Sequence, residues 1–226
     1  MIRHKLIAIE GGDGSGKATQ TKLLSEHLRV MGYDVLSQDF PRYGEFSALY
    51  IERYLNGHYG AANDVPADLA GLAYALDRAV AAPQIKSYLE KENGIVVLDR
   101  STASNMAHQG TKFKTKTERH KYYEEAIRLE YELLNVPRPD LCIVLLVPPK
   151  ISQTNIDKKS ARDYTDKKRD AHEADVDHLD AAKRNYQELC ELHPDYFISI
   201  DCMETDGVTQ RAVEDIQQEI RHIIST

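Results

Sequence analysis

The chain has 226 residues, enough to bury a substantial core as one α/β domain or two small ones, and with no composition break we expect a single domain over residues 1–226. With 29 Lys and Arg against 36 Asp and Glu, the formal charge of −7 excludes a surface that grips nucleic acid throughout, so an acidic ligand must meet a local basic cluster. Three widely spaced cysteines, Cys142, Cys190 and Cys202, argue against a disulfide framework or zinc cage, and the short apolar run in the opening MIRHKLIAIEGG argues against a signal peptide. No stretch approaches the roughly 18 apolar residues of a membrane span. A soluble, cytoplasmic protein is the expectation.

Short β-rich runs at Leu6 to Ile9, Val35 to Phe40, Ile95 to Leu98, Leu141 to Val147 and Tyr196 to Ile200 alternate with longer helix-period segments. Several are unbroken apolar stretches, as in strands covered on both faces. The pattern predicts an α/β fold with a five-stranded, mostly parallel sheet flanked by helices.

The first run leads into GGDGSGKAT, Gly11 to Thr19. The phosphate-loop pattern G-x-x-x-x-G-K-[ST] is met except at its eighth position, which is Ala18. Such a loop curls the backbone N–H groups of Gly11, Gly12, Asp13, Gly14, Ser15 and Gly16 toward an anion at a helix N-terminus. Lys17 would lie against the β- and γ-phosphates of a nucleotide. Ala18 removes the hydroxyl that normally helps hold magnesium, but that ion binds through water and phosphate oxygens with one or two carboxylates. Asp13 and Asp99 are the candidates to hold it, with Thr19 a weaker one.

Leu24, Leu28 and Met31 continue at helical spacing, and Gly32 is placed to end that helix. At the end of the second strand, DFPRYGE suggests a sharp, stiff turn, a cis Phe40–Pro41 bond being one form of it, that aims Arg42 into the crevice. A short helix is predicted near Ser47 to Leu55. A stronger one follows from about Ala67 to Ala82, with Leu69, Leu72, Leu76 and Val80 as an apolar stripe and Tyr74 and Arg78 four apart on a different face. Another is predicted over Gln84 to Glu92.

The third strand ends in LDRSTASNMAHQG, Leu98 to Gly110, which brings Asp99 and Arg100 to the carboxyl edge of the sheet beside Lys17. Further helices are predicted at Glu118 to Leu134, His172 to Leu192 and Thr209 to Ile224. Between them, DKKSARDYTDKKRD, Asp157 to Asp170, carries six basic and four acidic side chains and almost nothing apolar. Taken alone it reads either as a solvated loop or as a lid that brings cations over transferring phosphates. HEADVDH, just beyond, does not match H-E-x-x-H, because His172 and His178 are six apart on a helix.

The ordered set GGDGSGKATQ, FPRYG, ALDRA, DRSTASNMAHQG, the basic segment and DAHEAD resembles the thymidylate kinases, which are P-loop nucleoside monophosphate kinases, over nearly the whole length. The resemblance implies phosphoryl transfer from ATP to dTMP with Mg2+, a lid over about residues 157–170 and a homodimer, with no nucleic acid or membrane partner. It implies that Tyr74 stacks on thymine, that Arg78 and Asn105 meet the base, and that Phe40 and Pro41 pack near the acceptor. Arg42 and Arg100 would hold its phosphate, with Asp13 near the deoxyribose and transferring phosphate, and Asp170 and Glu173 near the acceptor phosphate and its ion. His108 falls where members often have tyrosine, close to the sugar. Some members carry a catalytic arginine after the position of Asp13; Gly14 stands there, which shifts that role to the lid, with Lys167 and Arg169 preferred. A deoxynucleoside kinase and a non-catalytic nucleotide sensor are the rival readings.

Overall fold

The computed structural model describes residues 2–157 and 176–225. Five parallel strands, β1 (Leu6–Gly11), β2 (Asp34–Asp39), β3 (Gly94–Asp99), β4 (Leu141–Leu146) and β5 (Phe197–Asp201), form one sheet in the order β2-β3-β1-β4-β5. Strand order reverses about β1, so a crevice opens at its carboxyl end, where Ile9 pairs with Asp99 and Gly11 with Leu145.

Side chains alternate across the sheet and build a core on each face. Leu6, Ala8, Val96, Leu98, Cys142 and Val144 pack on one side with α3 (Ala67–Leu89), α4 (Thr102–Gln109), α5 (Lys116–Ile127) and α7 (Val176–Leu192). Ile7, Ile9, Ile95, Val97, Ile143 and Leu145 pack on the other with α1 (Lys17–Val30) and α8 (Val213–Ile223). A short α2 (Leu49–Leu55) lies against α3, and α6 (Pro149–Asp157) follows β4.

All five predicted strands are present; several helical readings change. The segments around Pro83 are one helix, α3. Its buried face is Ala67, Ala70, Gly71, Ala75, Asp77, Arg78, Ala81, Ala82 and Ile85, while the stripe Leu69, Leu72, Leu76 and Val80 faces outward. Helix α4 follows directly from β3, with Ser101 as its N-cap accepting from the Ala103 N–H; all eight of its residues are buried, which erases the one-sided periodicity that marks a helix in sequence. Short α6 was not predicted either. The Glu118 helix begins at Lys116 behind a capping box of Thr115 and Glu118, and α5 runs on into a π-helical turn, Arg128–Leu133. Apart from Asp157, the residues of the expected lid lie outside the described residues, as do Asp170, His172 and Glu173.

Candidate active site

The phosphate loop joins β1 to α1. Gly16, at φ 97°, caps the helix, whose first turn carries no acidic side chain to compete with an anion. Lys17 is buried and its Nζ donates to the Gly12 carbonyl at 2.8 Å, folding the side chain back over the loop. Ser15 Oγ, buried in the same turn, has no hydrogen-bond partner among the described residues. Ala18 and Thr19 sit exposed on the first turn of α1.

Helix α6 clamps this loop. Gly14 has φ 75°, and a Cβ there would stand 2.3 Å from the Ser152 carbonyl oxygen, so α6 leaves no room for a side chain. Asn155 Nδ2 donates to the Gly14 carbonyl at 2.9 Å and to Gln210 Oε1 at 3.1 Å. An arginine after Asp13 is thus excluded by packing.

Beside the loop a cavity is lined by Asp13, Phe40, Pro41, Tyr43, Leu55, Tyr74, Arg78, Arg100, Ser104, Asn105, His108 and Gln109. The Phe40–Pro41 bond is cis, the form considered for this turn. Arg100 has φ 75°, a conformation costly for a residue with a Cβ, and it carries the side chain from the end of β3 into the cavity wall. Its Nη2 donates to Asp13 Oδ1, and its Nη1 donates to Ser104 Oγ at 3.1 Å and faces His108 Nε2 at 3.4 Å. Burial disfavours the Arg100 charge, but Asp13, Tyr186, Asp99 and Glu10 together outweigh that penalty and raise its pKa well above the ordinary value.

At the other end, Tyr74 and Arg78 share one face of α3, as their spacing predicted, and meet Asn105 from α4. Arg78 donates from Nε and Nη2 to the two carboxylate oxygens of Glu130, at 2.6 and 2.7 Å, in a pair shut off from solvent. Glu130, in the π-helical turn, also accepts from Thr102 Oγ1 at 2.8 Å. Tyr122 OH donates to Asn105 Oδ1 at 2.9 Å. Gly71 permits this approach of α3 to α4 and α5, since a Cβ there would lie 2.6 Å from the Tyr122 hydroxyl and 3.1 Å from Asn105 Oδ1.

Several residues of the site escaped sequence reasoning. Gln109, four after Asn105 and on the same helical face, has a buried Oε1 with no hydrogen-bond partner among the described residues. That spacing was the available signal. Glu10, buried in β1, accepts from the Ser101 N–H and hydroxyl, Ser104 Oγ and Tyr186 OH at 2.6–2.9 Å, tying the α4 N-terminus to α7. Burial, reinforced by the Glu10 charge, pushes the Tyr186 phenol well above its ordinary pKa and keeps it a donor.

Arg42, expected to turn into the crevice, lies outside the cavity lining. Its backbone N–H and Nε donate to Asp77 at 2.8 and 2.9 Å, and its Nη2 donates to Ser47 Oγ at 2.7 Å. Asp99 ends β3 next to Arg100, on which its charge acts. Among the described residues no group of three or more His, Cys, Asp or Glu could cage a metal. Asp13 lines the cavity and Asp99 ends β3 opposite Ile9; two such carboxylates are chemically suited to magnesium shared with phosphate oxygens and water. Lys167, Arg169, Asp170 and Glu173 lie outside the described residues.

The family model described as thymidylate kinase matches residues 9–220. The chain belongs to the thymidylate kinase family. A thymidylate kinase of Mycobacterium tuberculosis (strain H37Rv) is 33% identical over 187 residues, covering 81% of this chain and 85% of that protein. A probable thymidylate kinase of Thermococcus gammatolerans is 27% identical over 220 residues, covering 95% and 92%. The solved thymidylate kinase of Candida albicans superposes with a TM-score of 0.70 at 21% identity, covering all of this chain and 92% of that one, and so shares the fold. The phosphate loop, the FPRYG turn, the ALDRA segment and the DRSTASN segment converge on one cavity in this chain.

Proposed function

We propose that this chain transfers the γ-phosphoryl group of ATP to the 5′-phosphate of dTMP, giving dTDP and ADP. One observation carries the reading: a single cavity joins an aromatic, amide and guanidinium end, Tyr74, Asn105 and Arg78, to an Arg100–Asp13 end beside the phosphate loop. The first end suits a pyrimidine and the second suits its phosphate. An acceptor phosphate oxygen attacks the γ-phosphorus as the bond to the ADP oxygen breaks. The second pKa of a phosphate monoester is about 6, so the acceptor needs no strong base at neutral pH. Positioning and charge neutralisation by Lys17, Arg100 and the cations of residues 157–170, Lys167 and Arg169 among them, do the rest.

Magnesium is the expected cofactor, held by Asp13 and Asp99 with phosphate oxygens, and when bound it would neutralise charge on the phosphates. Asp170 and Glu173 are proposed near the acceptor phosphate and its ion. The remaining proposals concern context. A reducing compartment, the cytoplasm, suits three cysteines that are all unpaired. No helix among the described residues is long and apolar enough to cross a membrane. A homodimer is supported by the outward stripe of α3, where Leu69 and Val80 are 62% and 61% exposed.

A deoxynucleoside kinase would need a base at a hydroxyl acceptor, yet the one carboxylate among the described lining residues, Asp13, is bound by Arg100. ADP release should be measured with ATP and, in turn, dTMP, dUMP, dCMP, thymidine and no acceptor. Fast turnover with dTMP is expected. Faster turnover with thymidine, or none with any acceptor, would reject the assignment.

A further inference from the structure

A histidine in the wall of the acceptor cavity meets a second one behind it. His108, on α4, presents Nδ1 at 3.2 Å from Nε2 of His178, the third residue of α7, and both rings are buried. On one side His108 Nε2 faces Arg100 Nη1 at 3.4 Å; on the other, His178 Nδ1 faces Thr111 Oγ1 at 3.3 Å.

The direction of each bond follows from the first. A guanidinium can only donate, so His108 Nε2 accepts and the neutral ring carries its proton on Nδ1. That N–H points at His178 Nε2, which must accept, so the proton of His178 lies on Nδ1 and points at Thr111. The Thr111 hydroxyl spends its own hydrogen on the His108 carbonyl at 2.8 Å, leaving its oxygen to receive His178. Four contacts agree on one arrangement of protons. In the opposite tautomer His108 would aim an N–H at the Arg100 donor and push the guanidinium aside.

We propose that His178 is a positioning residue for the phosphoryl acceptor: it locks His108 in the Nδ1-protonated tautomer, which keeps Nε2 an acceptor and holds Arg100 beside the cavity. His178 is not in the cavity lining and acts through His108. The inference rests on the cavity being the dTMP site. It also ties the helix that follows residues 158–175 to the acceptor arginine.

The full-length enzyme and its His178→Phe and His178→Gln variants should be compared by histidine 1H–15N correlation NMR and by steady-state kinetics. The glutamine amide oxygen can accept from His108 as His178 does, whereas phenylalanine cannot. The expected results are an Nδ1-protonated His108 in the parent and in His178→Gln, lost in His178→Phe, with the KM for dTMP raised about fivefold in His178→Phe alone, the value of one net hydrogen bond. The KM for ATP should not move.

An Nε2-protonated His108 in the parent would overturn the proposal, as would a tautomer indifferent to His178→Phe. So would an unchanged dTMP KM in His178→Phe, equal losses for the two variants, or parallel rises for ATP and dTMP with a lowered melting temperature. The NMR result needs no substrate. A parent enzyme with the stated tautomer but no dTMP turnover would therefore sink the acceptor assignment and not the proton arrangement.

Discussion

At the scale of single residues, Arg78 and Glu130 show how the base end of the cavity is held. Both are buried, and the carboxylate uses both oxygens on one edge of the guanidinium. Removing one partner of such a pair leaves an uncompensated charge, so Glu130→Gln should cost about 3–5 kcal/mol. The expected result is a lowered urea midpoint at unchanged slope, together with a raised KM for dTMP. A midpoint like that of the parent would show that Arg78 does not depend on Glu130. The ALDRA segment announced Arg78 in sequence, but its partner lies 52 residues away among other glutamates that face water. No local spacing separates a glutamate that closes a buried pair from a solvated one; only the tertiary fold does.

At the scale of elements, α5 and α7 are joined by Glu188. Arg119 donates to it at 2.6 and 3.1 Å, and His120 Nε2 lies 3.2 Å away. The hydrogen bonds from Arg119, with help from His120, outweigh partial burial and lower the Glu188 pKa to about 2 from an ordinary 4.5. A carboxyl with a depressed folded-state pKa binds fewer protons folded than unfolded. Its contribution is therefore complete above pH 4.5 and is lost as pH falls toward 2. Unfolding of the parent and of Glu188→Gln at pH 7, 4 and 3 should show a stability gap that is constant above pH 4.5 and narrows with acidification; a widening gap would reject the clamp. The strands were legible because burial on both faces leaves short apolar runs between long amphipathic ones. Helix α4 was not, since a helix buried all round has no polar face to betray its period.

At the scale of the whole molecule, the α3 stripe was visible in sequence but its partner was not. Spacing reports that Leu69, Leu72, Leu76 and Val80 share a face, and says nothing of whether the sheet or another copy covers it. The sheet takes the small residues of the opposite face, which lets α3 sit close. If a second copy takes the stripe, Leu76→Glu should shift the sedimentation coefficient from dimer to monomer while leaving helical circular dichroism unchanged. A parent that sediments as a monomer would remove that interface.

The contact between Gly14 and the Ser152 carbonyl reaches beyond the loop itself. Because the obstacle is main chain, no choice of residue at position 152 can relieve it, and the route to a loop-borne arginine is closed to single substitutions. Any side chain at position 14 would require α6 to be re-seated first. In evolutionary terms a loop with a side chain at position 14 is separated from this one by a shift of backbone, and not by a single codon.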